Sequence, residues 1–381
     1  MGQSLAPTIG SKSERDLRID FFRGLALIIV LVDHVERMNG IEYVRGWTPT
    51  SLGFSDAAEG FIFLSGYVFG MVYGRCLQRD GFLACLRKAL RRSAEIYSCY
   101  LFITVVVLLF ASIVANQCPA LSAQANSDAG SSMIIKSALM LSFNFRYPVH
   151  NILSFYAVVL PFMVLLLWVL EKNKWIALLT SSLIYLLTQF SSWLTLPAWP
   201  PPDEWLFNPF AWQFLFFIGM GLGTRKFAVP RTAFCRNGLA IMALTVVGFG
   251  AMAMKGPEVV SEELAISITD MTKWAAIYAE KQHFGVMRAV HFLSASFLLT
   301  IVCPASSKMW ANTVLRPVVL CGQSSLPVYS VGVLLTFVSI PAIQMFGTSL
   351  ALVLSIHADA ILCSVVVAWL WGVGRRRFYK S

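Results

Sequence analysis

Charge is scarce in this chain: only 13% of its 381 residues are Asp, Glu, Lys or Arg, while 57% are hydrophobic and the mean hydropathy is +0.68. An ordinary soluble domain carries roughly a quarter charged residues, so a soluble fold and a disordered chain are both excluded. Eight cysteines are spread thinly along the chain with no zinc or iron–sulfur spacing, which argues against a disulfide-stapled module and a metal centre. Residues 1–18 are polar and lack an apolar core, so no cleavable signal peptide is expected. There is no low-complexity linker and no second soluble domain. Acids are scarcer than bases, 20 against 30, leaving a net charge of +10. Such an excess fits nucleic acid, anionic lipid, an anionic substrate or membrane topology.

Apolar stretches of about 20 residues are long enough to cross a bilayer as helix. They give an all-α polytopic membrane protein of about ten transmembrane helices. The segments run from Ile19 to Val35, Ala57 to Gly74, Ile96 to Ala115, Ile152 to Leu170, Trp175 to Trp193, Phe210 to Gly223, Leu239 to Met254, Val290 to Cys303, Val318 to Met345 and Leu350 to Val373. With the N-terminus in the cytoplasm, 22 of the 30 Lys and Arg fall on the inner side. That bias places both termini inside. The organisation expected is a cytoplasmic tail over residues 1–18, a membrane domain over 19–373 and a basic cytoplasmic tail over 374–381. Of the cysteines, only Cys118 falls clearly in an outer loop. Asn116 to Asn151 reads as a short interfacial or re-entrant helix, and Lys255 to Val286 as an amphipathic helix on the outer surface.

Ionisable groups inside spans are expensive in hydrocarbon, so they point to function. The first span, IDFFRGLALIIVLVDH, carries Asp20, Arg23, Asp33 and His34. Arg23 and His34 are eleven residues apart, which returns to within about 20° of one face and separates them by about 16 Å along the axis. Arg23 snorkelling inward and Asp33–His34 sitting in the outer headgroup layer is the plain structural alternative. Asp56 and Glu59 open the second span at a similar depth, where a carboxylate beside an imidazole can orient a general base. Gly66, Gly70 and Gly74 form a small-residue face in the same span, suited to close helix packing.

Arg75, Arg79, Arg87, Lys88, Arg91 and Arg92 cluster between the second and third spans. Guanidinium forks match phosphate oxygens, as a coenzyme A-like donor would require, although inner-side topology and anionic lipid explain such a cluster too. Arg288 and His291 stand together at the start of the eighth span. His357 and Asp359 lie well inside the tenth, about 200° apart around the helix. A mid-membrane Asp359 calls for a cation, with Arg23 or Arg288 as candidates. Trp212 and Gln213 open the sixth span.

These residues carry a resemblance. The Arg23-x10-His34 spacing, FIFLSGY at Phe61 to Tyr67 and the basic entry to the third span with Lys88-x-x-Arg91 resemble the acyltransferase-3 superfamily. Within it, RDLRIDFFRGLALIIVLVDH, GFSDAAEGFIFLSGYVFGMVYG, FNPFAWQFLFFIGMGLG and CGQSSLPVYSVGVLLTF are similar to the OpgC family, linked to succinylation of osmoregulated periplasmic glucans. The resemblance spans nearly the whole chain. It implies ten helices around a polar tunnel, with acyl-CoA entering from the cytoplasm and the acceptor reached from the periplasm. It further implies that His34 is the essential base, that Arg23 belongs to the same motif, and that Lys88 and Arg91 stand where the superfamily's R-x-x-R binds the donor. Lys88 departs from that pattern, and Arg92 or Arg87 can share its task. Ser324 stands where the OpgC segment often has histidine.

The function expected is that of an O-acyltransferase of the bacterial inner membrane, moving an acyl group, succinyl first among the candidates, from cytoplasmic acyl-CoA to a periplasmic glucan. His34, Asp33, Arg23 and Asp20 are the expected catalytic group. Arg75, Arg87, Lys88, Arg91, Arg92 and Ser65 are expected at the donor, and Asp56, Glu59, Arg288, His291, Trp212 and Gln213 at the acceptor and acyl group. A succinyl group needs a cation for its distal carboxylate, for which Arg288 or Arg45 is available. Acyl-CoA is a substrate, so no permanently bound cofactor or metal is expected. The other partners are the lipid bilayer and the glucan, and nucleic acid is not needed. A transporter of an anionic solute or glucan is the rival. The uncharged sixth span, WQFLFFIGMGLG, lacks the paired polar helices that many transporters show.

Overall fold

The computed structural model describes residues 16–114, 141, 151–191, 193–198, 203–227, 233–255, 273, 275 and 277–378. The expected re-entrant helix, Cys118 and most of the Lys255 to Val286 segment lie outside the described residues. Everything described is helix, turn or loop apart from one isolated bridge between Pro197 and Glu204. Helix covers all ten apolar segments apart from a few end residues, with the second and third lying in one helical element and the ninth interrupted at Ser324.

Helix α1 is Leu17–Asn39, started by the Asp16 side chain accepting from the Arg18 amide and ended by Gly40 in the left-handed conformation. Helix α2 is Ala57–Ile113. The remainder are α3 (Asn151–Lys172), α4 (Lys174–Phe190), α5 (Pro209–Gly223), α6 (Ala233–Lys255), α7 (Val286–Val302), α8 (Arg316–Gln323), α9 (Ser325–Phe346) and α10 (Leu350–Phe378). Among the described residues five helices are long and apolar enough to cross a membrane by length and composition: α2, α3, α9 and the greater parts of α6 and α10. The apolar helices α5 and α7 are shorter. The outward apolar side chains, among them Phe190, Ile113, Ile241 and Leu370, would be an anomaly on a soluble protein and suit contact with lipid.

Two features of this order were not visible as periodicity. The 57 residues of α2 are two limbs, because the backbone leaves helical geometry at Gly81, with φ 81°. Cys85 Sγ reaches the Tyr73 carbonyl at 3.7 Å, whereas residues twelve apart in a straight helix would be about 18 Å apart. The limbs therefore fold back on one another. The expected ninth span is likewise divided, with Ser324 between α8 and α9.

Glycine lets the central helices approach backbone to backbone. A Cβ at Gly66 or Gly70 of α2 would overlap the carbonyls of Phe216 and Met220 in α5, and one at Gly219 or Gly223 would overlap Phe63 and Tyr67 in return. The small-residue face is thus a packing face, reciprocated by the glycines of α5. Helix α1 packs on α8, α9 and α2. Its stripe of ionisable groups is consequently turned into protein.

Candidate active site

Among the described residues, one cavity lies along α1 at Arg23 and another at His34, beside a small void of about 10 Å³ that His34 also lines. The arginine cavity encloses about 290 Å³ and is lined by Arg23, Ser65, Lys88, Arg92, Tyr156 and Ser325 among others. The Arg23 guanidinium lies over the Phe61 ring, 5.8 Å from its centroid, and Ser65 follows Phe61 by one turn of α2. Lys88 and Arg92 are four residues apart, so one face of the second limb presents both cations to the cavity. Lys88 Nζ sits 5.2 Å from the centre of the Tyr73 ring, and Arg92 pairs with Glu95 at 2.8 Å. Arg87 and Arg91 each precede them by one residue, about 100° round the helix, and are exposed, as is Arg75.

The histidine cavity is smaller, about 70 Å³, and is lined by His34, Asp33, Asp56, Lys281, Arg37 and Arg45, together with apolar walls. Asp33 accepts from the hydroxyls of Thr48 at 2.8 Å and Thr50 at 2.5 Å, which ties the loop after α1 to the helix. Asp56 accepts the Lys281 ammonium at 2.5 Å and caps α2 by accepting from the Ala58 amide. Burial alone would raise the Asp56 carboxyl, but Lys281 and Arg288 outweigh it and hold the group well below the usual carboxylate range. Among the described residues no acid is hydrogen-bonded to the His34 imidazole. Phe61, Ile152 and Tyr329 line both cavities and form the wall between them.

Several expected site residues are placed elsewhere. Glu59 is fully buried, ion-paired to Arg288 and bonded through its second oxygen to the Asp56 amide at 2.8 Å. Arg288 also lies 3.6 Å from Asp56 and donates to the Ala279 carbonyl, so it is spent on structure and is not available to an acyl carboxylate. His291 is buried against Gly53, Gly250 and Phe54, with its Nδ1 2.8 Å from the Ser55 hydroxyl, and lines neither cavity. Gln213 clamps α5 to α4 through the Ser181 hydroxyl at 2.8 Å and the Ser181 carbonyl at 2.9 Å. Trp212 donates its indole N–H to the Lys281 carbonyl at 3.0 Å, positioning the lysine's loop without reaching the cavity itself. Asp20 is buried and accepts from Gln323 at 3.2 Å, joining α1 to α8. Asp359 is exposed rather than paired with Arg23 or Arg288, while His357 is buried with its Nε2 3.8 Å from Glu36.

Sequence reasoning missed Lys281, which reaches the site from a loop far along the chain, and the aromatic pair Tyr156 and Tyr329, which give no periodic signal. Ser325, read from the sequence with Gln213, Gln323 and Ser324 as an uncharged hydrogen-bonding group, lines the arginine cavity, while its neighbour Ser324 bonds to the Ala368 carbonyl at 3.4 Å. Among the described residues no three His, Cys, Asp or Glu are grouped to hold a metal.

Fold and site together define an all-helical membrane protein with a cationic cavity set back to back with a histidine-bearing one. The chain belongs to the OpgC protein family, whose profile matches residues 15–376, nearly its whole length. Membership points to a transferase of the osmoregulated periplasmic glucan succinyltransferase type. No curated protein and no solved structure matches the chain.

Proposed function

We propose that the protein is an inner-membrane O-acyltransferase that takes succinyl from cytoplasmic acyl-CoA and places it on a hydroxyl of a periplasmic glucan, with His34 as general base. The observation that supports this most directly is the pair of cavities sharing Phe61, Ile152 and Tyr329. In this reading the arginine cavity faces the cytoplasm, and Lys88 and Arg92 hold the donor's phosphates. The pantetheine arm, long and thin, carries the thioester past Arg23 towards the wall. His34 takes the proton of the sugar hydroxyl as its oxygen attacks the thioester carbonyl. The carbon–sulfur bond breaks, the coenzyme A thiolate leaves inward, and the proton held on His34 neutralises it. Asp33 acts through the loop it anchors, and Asp56 through Lys281, rather than by gripping the imidazole.

Mass spectrometry of periplasmic glucans from cells with and without the gene tests the assignment. Loss of species bearing the succinyl mass increment is expected when the gene is removed; unchanged glucan masses would sink it. The donor site makes its own prediction. Lys88→Ala and Arg92→Ala should each raise KM for acyl-CoA by about tenfold, as loss of a charge-assisted contact implies. Arg87→Ala and Arg91→Ala, which line neither cavity, should change it by less than about threefold. Steady-state kinetics on the purified enzyme separates the two pairs. Equal effects in all four variants would remove Lys88 and Arg92 from the donor site.

A further inference from the structure

The histidine cavity contains more positive charge than a neutral acyl group needs. Of its three cations, Lys281 is committed to Asp56 at 2.5 Å. Arg37 and Arg45 are not held in that way. Arg37 follows His34 by three residues, so it sits about 4.5 Å further along the same helix face. Among the described residues Arg45 is ion-paired with Glu42, at 3.4 Å and with that carboxylate 60% exposed, a contact that contributes little and gives way to a better anion, and it also lies within electrostatic reach of Asp33.

The backbone that presents Arg45 is fixed by groups buried in α1. Glu36, fully buried, accepts the amide of Val44 at 2.9 Å and that of Arg45 at 2.8 Å. Thr48 donates to Asp33 or to the Arg45 carbonyl, at 2.8 and 2.9 Å. The cation is thus set on the rim of the cavity by a rigid loop.

We propose that Arg37 and Arg45 form a carboxylate-binding subsite beside His34, which receives the distal carboxylate of a short dicarboxylic acyl group and so selects an anionic acyl donor over a neutral one. The proposal rests on the acyl-transfer reading above and names the specificity of its site. A four-carbon diacid with its thioester carbonyl at His34 extends its free carboxylate over one helical turn, which is where Arg37 stands.

The test uses the full-length enzyme in lipid, with succinyl-CoA and acetyl-CoA supplied separately and a neutral glucan as acceptor. In the variant carrying Arg37→Gln and Arg45→Gln, succinyl transfer should fall by about 30-fold or more, as expected for removing a charge partner, while acetyl transfer stays as in the wild type. Arg37→Gln alone, at an exposed position that folding tolerates, should give a smaller loss in the same direction, and Arg45→Lys should retain part of the succinyl activity. Equal losses with both donors would assign the arginines to the acceptor and overturn the subsite, as would unchanged succinyl transfer. A wild-type enzyme that transfers from neither donor would instead overturn the acyltransferase reading, and the subsite with it.

Discussion

Replacement of His34 by alanine should lower acyl transfer by about 10²- to 10⁴-fold, the usual contribution of a positioned general base. The size of the effect follows from the surroundings. His34 is the imidazole lining the cavity, whereas His291 is packed against Gly53 and Gly250, and His357 lies beside Glu36. The carboxylates that share the cavity are already engaged, Asp33 by two threonine hydroxyls and Asp56 by Lys281, so neither is placed to take over as base. Single-turnover transfer from succinyl-CoA, with membrane insertion and thermal unfolding compared to the wild type, is the measurement. A folded variant retaining more than about a tenth of the wild-type rate would eliminate His34 as the base.

The largest effect on stability is expected at Arg288. Its guanidinium is paired with Glu59, whose side chain is fully buried, and it is itself only 13% exposed. Removing one partner of a buried pair leaves an uncompensated charge, which costs about 3–5 kcal/mol. Arg288→Met should therefore lower the unfolding midpoint in detergent sharply. Adding Glu59→Gln should recover most of the loss, because the amide can still accept the Asp56 N–H while the stranded charge is gone. A rescue of this kind distinguishes charge burial from simple loss of packing. Arg288→Met as stable as the wild type would show that Glu59 does not depend on it.

The helices were legible in the sequence because length and hydrophobicity are local properties. The first-span stripe was also legible, since a spacing of eleven residues places Arg23 and His34 on one face whatever surrounds them. What the sequence did not disclose depends on contacts between distant segments. Lys281 meets Asp56 across a separation of 225 residues, and nothing in either neighbourhood announces it. Nothing in the sequence around Glu36 sets it apart, yet it is fully buried because the chain turns back at Gly40 and brings two amides onto it. In the basic cluster, composition weighed all six cations alike. The fold at Gly81 is what brings Lys88, still exposed, and the half-buried Arg92 to the rim of the cavity, while Arg87 and Arg91 line neither cavity. Arg288 illustrates the opposite error: a buried cation near the expected site is more readily spent on a buried acid than kept for a substrate.

The wall of Phe61, Ile152 and Tyr329 also bears on how such a membrane holds its voltage. A polar bore open from end to end would conduct protons and small ions, and a transferase present in many copies would drain the gradient that powers the cell. Among the described residues Phe61, Ile152 and Tyr329 line both cavities, so the two polar spaces adjoin across apolar and aromatic side chains. On the acyl-transfer reading proposed above, a thioester would be offered from one cavity and attacked from the other only where that thin partition yields, so electrical insulation and chemical contact would be governed by the same few atoms.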